Sequence, residues 1–147
     1  MSRLIEADPE RVWKALTNPA EVVAWDERML APVDASSDYP FSGGVRWRYQ
    51  LGRVQVVMHD RPLEVVPGAR LKRKIRLGSL RYDQTLSLTP VAERPGQTNL
   101  AIKIVTPNWI PLVGDAVDRF SARELATRHV DDTLRQIQAF FSSDQSS

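Results

Sequence analysis

Through the middle of the chain, apolar residues recur at every second position. Val45, Trp47, Tyr49 and Leu51 share one face of a strand, and Arg46, Arg48 and Gln50 share the other. Leu80, Tyr82, Gln84, Leu86 and Leu88 alternate with Arg81, Asp83, Thr85 and Ser87, and Leu100, Ile102 and Ile104 alternate with Lys103. A period of two marks strands with one face in a core and the other in water. Turn signals at Gly43-Gly44, Gly52, Pro67-Gly68, Gly78 and Pro95-Gly96 divide the region from Tyr39 to Val105. The pattern predicts a multi-stranded antiparallel sheet there.

The period is helical on either side of this sheet. After a short strand over residues 3–7, Asp8-Pro9-Glu10 supplies a capping acid, a proline suited to the first helical position and a first-turn acid. Val12, Trp13 and Leu16 give this first helix a buried stripe. Asn18-Pro19 stops it, and a second short helix follows from Pro19 to Trp25, with Val22, Val23 and Trp25 available for packing. Near the C-terminus a long helix is predicted from Pro111 or Gly114 to Phe141, on the stripe Val113, Val117, Phe120, Val130, Leu134, Ile137 and Phe141. The expectation is one domain over 1–141, followed by a disordered tail at 142–147, "SSDQSS".

Composition narrows the function classes. With no cysteine, the chain has no disulfides, thiolate metal sites or cysteine nucleophile, and two histidines leave little for a histidine-based metal site. No metal and no cofactor is expected. No stretch approaches the roughly 20 apolar residues that span a bilayer, and the first residues lack a secretory signal pattern, so cytoplasm is the expected location. Net charge is +2. The one dense basic run, "RLKRKIR" at 70–76, reads as a strand whose exposed face carries cations that guard against aggregation. No aromatic residues interleave it as a stacking surface requires, so nucleic acid is not an expected partner.

Five segments in order resemble the START/Bet v 1-like superfamily, the SRPBCC or helix-grip fold, and within it the polyketide cyclase/dehydrase group. They are "IEADPERVWKALTNPAEVVAWD", "GGVRWRY", "LEVVPGARL", "YDQTLSLTP" and "ARELATRHVDDTLRQIQAFF", and together they span about residues 3–141. The resemblance implies an α+β fold in which a curved antiparallel sheet wraps around a long C-terminal helix. Two short helices between the first two strands plug one end, with Trp13 and Trp25 as core pieces of that plug. It also implies an elongated apolar cavity between sheet and helix; such sites commonly measure roughly 300 to 1,000 Å³.

If the face bearing Trp47, Tyr49, Tyr82, Leu86, Ile102 and Ile104 is the concave one, the polar residues that share it carry the chemistry. Arg73 has the parity of Leu71, Ile75 and Leu77, so an ideal strand points it inward, where a guanidinium needs a partner. Glu124, about one turn beyond Phe120 on the helix stripe, is the expected partner, or else one of the two meets a ligand head group. Tyr82 and Gln84 are placed to orient a ligand carbonyl or hydroxyl. His59 has the opposite parity from Val54, Val56 and Met58 and is expected at the surface. "HDR" at 59–61 alternates faces and cannot converge on one substrate atom. His129 lies off the helix stripe and is expected to be exposed.

The leading reading is a binder of an apolar or amphipathic small molecule, such as a lipid, isoprenoid or polyketide. Trp47, Tyr49, Ile75, Leu86, Ile102, Val117 and Phe120 would provide affinity, and Arg73, Tyr82, Gln84 and Glu124 orientation. A cyclase or dehydratase using the same cavity is the rival; no catalytic constellation of the usual kinds is visible and no catalytic residue is assigned. A third reading makes Trp109, Ile110 and Leu112 of "PNWIPLVG" a lid, or a segment in transient contact with a membrane or protein partner. The sequence assigns no oligomeric state.

Overall fold

The computed structural model describes residues 1–78, 80–105 and 115–145 of the chain, and within the last segment the side chains of 127–142 alone. The described elements run β1 (Ser2–Ile5), α1 (Pro9–Thr17), α2 (Pro19–Trp25), β2 (Met29–Ala35), β3 (Val45–Leu51), β4 (Val54–Val66), β5 (Arg70–Leu77), β6 (Leu80–Val91), β7 (Arg94–Val105) and α3 (Asp115–Gln145). The strands form one curved antiparallel sheet in the order β1-β7-β6-β5-β4-β3-β2. The fold is therefore the α+β helix grip, with two short helices between the first two strands.

Local chemistry explains the helical plug. The Asp8 carboxylate accepts from the Arg11 N–H at 2.8 Å and starts α1. Asn18 serves both helices: its N–H closes α1 on the Lys14 carbonyl, and its side-chain oxygen accepts from the Ala20 N–H at 3.0 Å to open α2. The Trp25 indole N–H donates to the Ala15 carbonyl at 2.8 Å, fixing the angle between the two helices inside the core.

The core lies on the concave side in two adjoining clusters. One joins Val12 and Leu16 of α1 to Leu71, Leu86, Leu100 and Ile102 of the sheet and to Leu134, Ile137 and Phe141 of α3. The other gathers Val22, Met29, Trp47, Tyr49, Met58, Ile75 and Tyr82. Polar contacts anchor α3: Arg3 donates to the Gln138 side-chain oxygen at 2.8 Å, Gln138 donates to the Leu4 carbonyl at 3.1 Å, and the Glu27 N–H donates to the Gln136 side-chain oxygen at 2.7 Å.

Two boundaries differ from the sequence expectation. The sheet begins before Tyr39, because β2 pairs with β3 from Met29↔Tyr49 to Ala35↔Val45. It is an edge strand with Pro32, two register shifts and mostly exposed side chains, so its alternation is erased. At the other end, α3 continues to Gln145, beyond Phe141. The register that matters for the site is regular. β5 pairs with β6 without interruption from Arg70↔Ser87 to Leu77↔Leu80, and the irregularity in β4 falls between Pro62 and Glu64.

Candidate functional site

Unbroken pairing along β5 keeps Arg73 on the same side as the buried Leu71, Ile75 and Leu77. Its partner there is Asp60 of β4. Arg73 Nη1 donates to Asp60 Oδ2 at 2.9 Å, with 11% of the arginine side chain and none of the aspartate side chain exposed. The same oxygen accepts from the Tyr39 hydroxyl at 2.6 Å and the Trp47 indole N–H at 3.3 Å. Arg73 Nη1 also donates to the Tyr39 oxygen at 2.9 Å, and Arg73 Nε donates to Gln84 Oε1 at 2.7 Å. Burial opposes the guanidinium charge, but Asp60 and Tyr39 outweigh it and raise the Arg73 pKa above its ordinary value. Burial also pushes the Tyr39 phenol up, so it remains a neutral donor.

The expected partner, Glu124, lies outside the described side chains, and Asp60 takes the role assigned to it. Asp60 shares the parity of Met58, which is 2% exposed, and this was the signal available in the sequence. The alternation that separates His59 and Arg61 from Asp60 is the same one that sends Asp60 inward. Gly44 is required beside it, since a Cβ there would sit 2.3 Å from the Asp60 carbonyl oxygen.

A second polar group bridges the sheet to α3. Arg28 Nη1 donates to His129 Nδ1 at 3.1 Å, and the Tyr49 hydroxyl lies 2.9 Å from the same nitrogen. Arg28 also pairs with Asp132. A guanidinium can only donate, so Nδ1 accepts, and the neutral imidazole carries its proton on Nε2. Burial, then Arg28 and Arg73, push the His129 pKa down to about 4. His129 is thus half-buried and networked, contrary to its expected exposure; it sits on the turn of α3 that faces Tyr49 and Arg28, and its own helical spacing hides this. Asp26, which ends α2, is 4% exposed and accepts from the Arg28 N–H at 3.0 Å. Burial raises its pKa, against the lowering effect of that hydrogen bond and of the Arg28 and Arg73 charges.

The two groups meet at a cavity between α2, the concave sheet and α3. Arg73, Gln84, Asp26, His129 and Thr133 supply its polar lining, with the Tyr82 ring beside them. Leu16, Val22, Trp25, Met29, Met58, Ile75 and Leu86 supply the apolar wall. Its volume is about 20 Å³, enough for about one water molecule and far below the size expected from the resemblance.

Of the residues expected at a ligand, Arg73, Ile75, Tyr82, Gln84 and Leu86 border this cavity. Trp47, Tyr49 and Ile102 are buried in the core without bordering it. Val117, Phe120, Trp109, Ile110 and Leu112 lie outside the described residues or side chains. Asp26, Met29, Met58, His129 and Thr133 border the cavity without having been singled out in the sequence as ligand contacts. Among the described residues, no group of three or more His, Asp or Glu side chains could hold a metal ion. No helix there is long and apolar enough to cross a membrane.

A curved sheet gripping a C-terminal helix, with a cleft of mixed polarity between them, defines the START/Bet v 1-like, or SRPBCC, class of ligand-binding folds. A family model described as polyketide cyclase/dehydrase and lipid transport matches residues 1–140, and the chain belongs to that family. Solved structures agree on the fold. A Thermus thermophilus protein is 18% identical with a TM-score of 0.72, covering 98% of this chain and 96% of its own. A START superfamily protein from Mycobacterium smegmatis is 12% identical with a TM-score of 0.70, covering 97% and 95%. A Rhodobacter sphaeroides protein is 23% identical with a TM-score of 0.66, covering 97% and 89%. Among curated proteins, none matches the sequence.

Proposed function

We propose that the chain binds a neutral, oxygen-bearing apolar molecule of the lipid, isoprenoid or polyketide kind in the cleft between sheet and α3. The observation that carries this reading is the internal charge balance of the cavity. Arg73 already has Asp60 as its counter-ion, and Asp26 stands on the same lining. A ligand carboxylate would meet Asp26 and a guanidinium whose charge Asp60 already balances, whereas a carbonyl or hydroxyl could accept from Arg73 or His129 Nε2 without adding charge. Ile75, Leu86, Met58 and Trp25 would hold the apolar part. A cavity of about 20 Å³ has to widen for this, and the two methionines in its wall, Met29 and Met58, are the side chains best able to repack.

Trp25 borders the cavity, so a ligand there should change the tryptophan fluorescence of the chain. Titration with a long-chain alcohol, a methyl ketone and a carboxylate of equal length should show saturable binding of the first two and weaker binding of the third. Equal or tighter binding of the carboxylate would refute the charge argument, and binding of none would refute the site.

A second reading has its own observation. Asp26 and His129, whose pKa values are pushed in opposite directions, border one cavity together with Arg73, an arrangement suited to proton transfer on a bound carbonyl compound. If the chain is a cyclase or dehydratase, turnover should fall in Asp26→Asn with binding retained. Retained turnover in that variant would remove Asp26 from the chemistry.

A further inference from the structure

The cavity uses one face of the sheet, and the helices among the described residues pack on that same face. The outer face carries a continuous row of basic side chains. Arg46 of β3, His59 of β4, Arg76 of β5 and Arg81 of β6 are directly opposite one another in register. Like charges at such positions repel, so the row costs the fold stability. His59 accommodates it by accepting from Arg76 Nη2 at 3.3 Å. Burial and the flanking Arg76 and Arg46 lower its pKa. Arg61 and Lys74 form a second row ending at Asp83, and Arg48, Lys72 and Lys103 flank the two. Asp34 and Glu64 are engaged by Arg46 and Arg70. Since the whole chain has a net charge of only +2, the basic character belongs to this face.

The chemistry of the face selects among polyanions. Trp47, Tyr49 and Tyr82 point inward and are buried, which leaves no Phe, Tyr or Trp on the described outward positions of β3 to β6 to stack on bases. Aliphatic groups are exposed instead. Val57, opposite Arg48, Val66, opposite Arg70, and Val105, opposite Asp83, are 43%, 40% and 51% exposed. Cations beside exposed aliphatic side chains suit an interface of phosphate head groups over acyl chains.

We propose that the outer face of β3 to β6 docks on an anionic lipid bilayer. The surface lies on the face of the sheet opposite the ligand cleft. Each cation near an anionic surface strengthens binding by roughly fivefold, and the attraction fades once salt shortens the Debye length to a few ångströms.

The test is co-sedimentation of the full chain with vesicles of phosphatidylglycerol and phosphatidylcholine, against vesicles of phosphatidylcholine alone. Binding is expected to the first and not the second, and loss at roughly 1 M salt. Arg76→Gln with Arg81→Gln should weaken partitioning by about 25-fold, while the melting temperature holds or rises because a repulsive pair is gone. Lys14→Gln on α1 should leave binding unchanged. Failure to bind the anionic vesicles, equal binding by the double variant, or binding of duplex DNA in preference to the vesicles would overturn the proposal.

Discussion

Asp60→Asn is the substitution that most sharply separates a buried counter-ion from an ordinary surface pair. The amide keeps the shape and some hydrogen bonding but removes the charge that balances Arg73, whose side chain is 11% exposed. Removing one member of a buried pair costs about 3–5 kcal/mol because the remaining charge is left uncompensated. That is a large part of the roughly 5–15 kcal/mol that holds a domain folded. At about 3 °C per kcal/mol for a chain of this size, the melting temperature should fall by about 10–15 °C. Urea unfolding of wild type, Asp60→Asn, Arg73→Met and the Asp60→Leu/Arg73→Met pair supplies the measurement. The pair should cost less than Asp60→Asn alone, because it removes both charges together. In a ligand titration, Asp60→Asn should also shift preference toward carboxylates, since Arg73 loses its internal counter-ion. A cost below about 1 kcal/mol, the range of exposed pairs, with additive single effects, would refute the reasoning.

Three further outcomes follow from the site and the plug. His129, with a folded pKa of about 4 against an ordinary value near 6.5, binds fewer protons folded than unfolded between those values. Its contribution is complete above that window and is lost as pH falls through it, by at most about 1.4 kcal/mol per pH unit; urea unfolding across pH 4–7 should show this component disappear in His129→Asn. Asp26 has the opposite sign: its raised pKa makes ionisation costly to the fold, so Asp26→Asn should gain stability at neutral pH and lose that advantage as the medium is acidified. Asn18→Ala removes the α2 cap bond to Ala20 and should cost about 1 kcal/mol by thermal unfolding.

What the sequence made legible was whatever repeats with a period. The helical stripe of α1, the paired signals at Asn18-Pro19 and the alternation of β3, β6 and β7 all reflect burial of one face, and they led to the helix grip. Arg73 could be placed inward because β5 carries no bulge in its pairing with β6. The missed features depend on partners brought together from afar. Asp60 meets Tyr39, Trp47 and Arg73 across three strands and a loop, and nothing in its own segment marks it except parity. His129 is half-buried against Arg28 and Tyr49, 101 and 80 residues away in sequence, so its position beside the helix stripe is a poor guide. β2 was lost because an edge strand with a proline and two register shifts has no alternation to read.

A neutral apolar molecule held between sheet and α3 should be visible to native mass spectrometry of the protein as purified, followed by denaturing extraction of whatever it carries. A stoichiometric adduct is expected that is uncharged, oxygen-bearing and largely hydrocarbon, and that diminishes when Leu86→Trp fills the cavity wall. An empty protein that also binds no lipid or polyketide mimic, or an adduct indifferent to Leu86→Trp, would contradict that binding site.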